Sequence, residues 1–141
     1  MRPLSLFLLF CLPALAGATL ADQSLEDALA QSTNEGKHLY VAFLGEGWSI
    51  SSKHFKTRVL DSPAFQMFAK EKLVYFPVEA RRKPKLTSHE TAKLQAWVIH
   101  FDVMSYPTII VTAPDGQEVL RHTFKDIEAQ KYVELLDSIL P

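Results

Sequence analysis

The stretch HLYVAFLG, residues 38–45, is a short and nearly unbroken apolar run rich in β-formers. A strand with no polar alternation has no face to give to water, so it must be covered on both sides. This one run therefore demands a sheet sandwiched between other elements, and the rest of the chain has to supply the covering layers. Ser24 with Asp27 three residues on reads as a capping box, and Leu25, Ala28 and Leu29 then share a helical face that Gly36 can end. A second helix is expected to begin near Ile50 with Phe55 and Val59 inward, interrupted by Asp61-Ser62-Pro63. Phe65, Phe68 and Met67 are expected to pack inward from the next helix.

LVYFPVEA, residues 73–80, reads as another strand, and Pro77, which lacks a donor, places it at a sheet edge or ends it. Thr87 with Glu90 suggests a further cap, leading a helix whose Ala92, Leu94, Trp97 and Val98 face the core. TIIVT and EVLRHTF flank APDGQ, where Asp115-Gly116 makes a tight hairpin reversal. A last helix from Asp126 repeats Ile127, Tyr132, Leu135, Leu136 and Ile139. The order is helix, strand, helix, strand, helix, strand, strand, helix. Two strands joined through a helix run parallel and the hairpin antiparallel, which gives an α/β fold with a mixed sheet and helices on both faces.

The first residues, MRPLSLFLLFCLPALAGATLA, have the layout of a secretory signal peptide: Arg2, an apolar run from Leu4 to Leu12, and a small-residue exit. The run is too short for a permanent anchor. Cleavage is expected after Ala18, with Ala16 and Ala21 as alternatives, so residues 1–18 are the signal and 22–141 form a single domain, secreted or periplasmic. Phe10 before Cys11 is bulky where a lipoprotein signal needs a small residue, so Cys11 is expected to leave with the signal. The remainder then has no cysteine at all and must hold its fold by packing. Without Arg2, 14 basic side chains face 16 acidic ones, a formal charge of −2, which speaks against nucleic acid as a partner. The cationic loop at 81–85 reads as a solvated surface or as a patch for an acidic partner.

Two further stretches resemble a known family. GEGWSISSKHF is similar to the redox turn of thioredoxin-like proteins, in which a Trp precedes Cys-x-x-Cys at a helix start, and SYPTIIV resembles their later cis-proline signature. With DSPAFQMFAKEKLVYFPVEA between them, the likeness extends over roughly residues 24 to 140 and points to the secreted thioredoxin-like branch. The resemblance implies a thioredoxin-like fold with a four-stranded mixed sheet. It sets Trp48 at the family's Trp, Ser49 and Ser52 on its two cysteines, and Pro107 on its cis-proline, between Tyr106 and Thr108. The buried acid of many thioredoxins falls on Phe43.

Both sulfurs are thus replaced. A thiolate at a helix N-terminus is stabilised to a pKa of roughly 7, from about 8.5, whereas a serine hydroxyl starts far higher and has no disulfide state. Disulfide exchange by this turn is therefore not expected. A serine hydrolase would need a general base in reach, and His54 is wrongly spaced from Ser49 and Ser52. Ser49 fits better as a helix N-cap. His38, His54, His89, His100 and His122 lack zinc-ligand spacing, so no metal and no cofactor is expected. Trp97 reads as structural, while Trp48 is either a lid on the core or a contact residue. Two function classes stay open. One is a binding module that keeps the polypeptide-binding face of Trp48, Ile50, Tyr106, Pro107 and Thr108, acting on a protein or extended polypeptide in a chaperone or assembly role. The other is an oxidoreductase relative with a cysteine-independent activity or a thiol borrowed from glutathione or a partner.

Overall fold

The computed structural model describes residues 24–82 and 87–140. The signal-peptide expectation and much of the 81–85 loop lie outside these residues. A four-stranded sheet has the order β2-β1-β3-β4. β1 (His38–Leu44) runs parallel to β2 (Leu73–Glu79) and antiparallel to β3 (Thr108–Thr112), and β3 pairs antiparallel with β4 (Glu118–His122). The apolar run 38–45 is thus an inner strand, and Pro77 does sit on an edge strand.

The pleat divides β1 between two cores. Leu39, Val41 and Phe43 meet Leu25 and Ala28 of α1 (Leu25–Glu35) on one face, with Leu94, Trp97 and Val98 of α4 (Ser88–His100) packed against the same cluster. Tyr40, Ala42 and Leu44 meet Phe55 of α2 (Ile50–Phe55), Phe65 of α3 (Pro63–Lys72), and Tyr132 and Leu136 of α5 (Ala129–Ile139) on the other. Fully burying one such side chain is worth about 1.5–3 kcal/mol, so the two clusters dominate the stability of a domain that has no crosslink in its described part.

Local signals set the helix ends. Ser24–Asp27 and Thr87–Glu90 form reciprocal capping boxes, and Ser62 caps α3 ahead of Pro63 at its first turn. Gly36 ends α1 at φ +64°. Several expectations need correction. The helix from Ile50 does not continue regularly to Val59: α2 passes into a π-helical turn, Lys56–Leu60, which keeps both Val59 and Leu60 buried. Met67 is 73% exposed, because only Phe65 and Ala69 of α3 reach full burial. Ala92 is exposed, and α4 has no fully buried residue, since it rests on the sheet through Leu94, Trp97 and Val98 alone. β4 stops at His122 and α5 starts at Ala129, leaving Asp126 and Ile127 in the connection.

Candidate functional site

The turn from β1 into α2 lies at the carboxyl end of the inner strand and frames a cleft of about 530 Å³. Gly45 makes the turn possible through contact: a Cβ there would lie 2.7 Å from Ser49 Cβ and 2.8 Å from Trp48 Cζ2. Gly47 adopts φ +77°, a left-handed conformation that suits glycine. The Ser49 N–H donates to the Gly45 carbonyl at 3.0 Å, closing the turn on itself.

Both serine hydroxyls are engaged in this architecture. Ser49 Oγ accepts from the Ser52 N–H at 3.1 Å, the N-cap bond of α2, and lies 3.4 Å from the Tyr106 carbonyl as a donor. Ser52 is 2% exposed, and its Oγ accepts from the Gly45 N–H at 2.9 Å. The ring of His54 stacks against Phe124, with centroids 6.0 Å apart, and hydrogen-bonds to neither serine. Below the turn Phe43 is fully buried and meets Phe101 edge-on, so nothing titratable occupies that position. The arrangement supplies a braced turn and no activated nucleophile.

Trp48 is half-buried and held on three sides. Its Nε1 donates to the Ala80 carbonyl at 2.7 Å, its ring meets Tyr106 edge-on with centroids 5.2 Å apart, and the Arg82 guanidinium lies 4.3 Å from its centroid. Tyr106 is half-buried and its bond to Pro107 is cis. Pro107 and Thr108 are buried, and the Thr108 hydroxyl donates inward to the Ser105 carbonyl at 2.6 Å. Ile50 and Met104, by contrast, are each 87% exposed. The structure thus brings Trp48, Ser49 and Tyr106 into contact, leaves Ile50 open to solvent and turns the Thr108 side chain away.

Sequence reasoning did not find the segment that walls the turn from the other side. Glu46 N–H donates to the Ala80 carbonyl and Ala80 N–H to the Leu44 carbonyl, extending β2 onto the turn. Arg81 then bridges Glu46 at 2.8 Å and Glu79 at 3.0 Å. The Glu79 carboxyl is pushed above its ordinary range, first by a hydrogen bond with the Glu46 carboxyl, then by burial and the charge of Glu46, with Arg81 opposing. The only hint in the sequence was an acid between two glycines and a cluster of cations. Nothing local connects partners thirty-five residues apart.

A model of the thioredoxin-like domain matches residues 25–136. A protein named disulfide bond reductase DsbH from Chlamydia pneumoniae is 24% identical over 126 residues, covering 89% of this chain and 76% of the relative. A solved DsbH oxidoreductase superposes with TM-score 0.76 at 23% identity, covering 93% of this chain and 91% of the other. The oxidised carboxyl-terminal domain of DsbD from Neisseria meningitidis gives 0.62 at 19% identity, covering 82% and 92%. A thioredoxin from Thermus thermophilus also gives 0.62 at 19% identity, covering 82% of each chain. These likenesses agree with the four-stranded mixed sheet and its covering helices. The chain belongs to the thioredoxin-like domain family.

Proposed function

We propose that this protein is an exported, redox-silent thioredoxin-like domain that holds an extended polypeptide or a protein partner across the Trp48–Tyr106 surface. The observation that carries the reading is the state of the two serines: they stand where the family's sulfurs stand, and both hydroxyls brace the turn. A turn maintained without its chemistry fits a binding role. In the same cleft Ile50 is apolar and open, and the half-buried ring of Trp48 meets that of Tyr106. Such a surface suits an extended peptide, which brings apolar side chains and main-chain donors together. In this reading the peptide meets Thr108 through backbone alone, and Pro107 shapes the floor. Export rests on the basic start, the apolar run and the small-residue exit of the first 18 residues, with delivery to the periplasm or the exterior. Among the described residues no helix is long and apolar enough to cross a membrane.

The name of the DsbH relative raises the second reading, a reductase activity in this chain with a thiol taken from elsewhere. One set of measurements separates the two. The purified protein should not reduce insulin disulfides above buffer, with or without glutathione. It should bind a permanently unfolded, carbamidomethylated polypeptide, and Trp48→Ala should weaken that binding while the protein remains folded by circular dichroism. Turnover of insulin at a few per cent of a thioredoxin control, free of contaminants, would overturn redox silence. Undiminished binding by a folded Trp48→Ala protein would remove the proposed surface.

A further inference from the structure

The two arginines that follow β2 are neighbours in sequence but differ in electrostatic state. Arg81 is neutralised twice over, by Glu46 and by Glu79. Arg82 has no ion pair among the described residues, is exposed, and sets its guanidinium 4.3 Å from the Trp48 ring centroid. A guanidinium on an aromatic face keeps its hydrogen-bond donors at the rim, directed outward and available to a carboxylate. Lys53, which lines the same cleft, also has no ion-pair partner among the described residues, whereas Lys56 is tied to Asp61 at 2.8 Å. Glu46 and Glu79 are the acids at this mouth, and Arg81 lies between them. Arg81 is thus occupied by acids, whereas Arg82 lies on Trp48 with no ion pair among the described residues.

Building on the polypeptide-binding reading, we infer that the Trp48–Arg82 pair selects an acidic segment: an extended polypeptide that places a Glu or Asp carboxylate against Arg82 while its apolar neighbours lie on Trp48 and Ile50. Arg82 is then a specificity-determining residue. An exposed, preorganised guanidinium–carboxylate pair is worth up to about fivefold in affinity, and salt screens it.

The test uses three synthetic apolar decapeptides, identical except for one central Glu, Gln or Lys, titrated into the protein and followed by Trp48 fluorescence in a Trp97→Phe background. The Glu peptide should bind about three- to fivefold more tightly than the Gln peptide at low ionic strength. The Lys peptide should bind most weakly. The preference should collapse in Arg82→Gln and in high salt. It should persist in Arg58→Gln, which removes the same charge from a residue paired with Asp126. If Glu and Gln peptides bind equally and Arg82→Gln changes neither, or if the Lys peptide binds best, the inference falls and the polypeptide-binding reading stands. If no peptide binds, both fall.

Discussion

At Gly45 the chain has no room for a methyl group. The position would bring a Cβ within 3 Å of both Ser49 and the Trp48 ring, and those neighbours are backed by hydrogen bonds to Ala80 and Tyr106. Neither can retreat without releasing a bond, so Gly45→Ala should cost about 1–3 kcal/mol in urea unfolding, the range for overpacking a filled site. A loss below about 0.5 kcal/mol would mean that the turn relaxes freely. The same crowding explains why Trp48 resisted a clean reading from sequence. A tryptophan can serve as lid or as contact, and here it does some of each: its nitrogen is pinned to Ala80 while its rings remain half open. Local sequence showed that Ser49 would cap a helix. It could not show that Ser52 would reach back to Gly45, because that bond depends on how tightly the turn closes.

At the scale of elements, α2 begins where a working relative would place its cysteines, and the Ser49 cap shows that the positions are one helical turn apart. The double substitution S49C/S52C should therefore set two Cα atoms about 5–6 Å apart and close an intramolecular disulfide under mild oxidant. Mass spectrometry after thiol trapping, alongside an unchanged circular dichroism spectrum, is the check; two free thiols after oxidation would show a differently built turn. Restored reductase activity does not follow from the bridge, since Phe43 offers no acid beneath the site. The elements were largely legible because their signals are local. Ser24, Ser62 and Thr87 are caps with a side-chain oxygen at the required spacing, and Pro77 excludes an inner strand. What was illegible depends on neighbours. Periodicity marked Ala92 and Met67 as inward, but whether a face is covered is decided by the width of the layer beneath it. The π-helical turn at Lys56–Leu60 likewise has no signature in its residues, and it serves to keep Val59 and Leu60 both on the core.

Across the whole molecule, β1, β4 and α5 are joined by one polar chain that runs from the core to the surface. The Tyr40 and Tyr132 hydroxyls are 2.7 Å apart, Tyr132 is 2.7 Å from His122 Nε2, and His122 Nδ1 is 2.6 Å from the Thr123 carbonyl. A carbonyl only accepts, so Nδ1 carries the hydrogen and Nε2 of a neutral ring accepts from Tyr132, which accepts from Tyr40. Protonating His122 would leave one hydroxyl hydrogen of this chain without an acceptor. Burial lowers the His122 pKa, the Thr123 bond opposes this, and the charge of Lys125 lowers it further. Burial also lowers His38. A depressed folded pKa means that the unfolded chain takes up the proton first. Stability should therefore be full above pH about 6.5 and fall as the pH drops from there through the folded value. Urea melts at pH 7.5 and 5.5 should show that loss, and His122→Gln should reduce it. An equal slope in that variant would assign the effect to other groups. The fold that carries this chain holds without a sulfhydryl anywhere from Ser24 to Leu140. Its packing is therefore indifferent to the redox potential around it, and a thiol introduced at Ile50 would be chemically unique within the described domain. A fluorophore or spin label attached there would watch the proposed surface with no background from the rest of the fold.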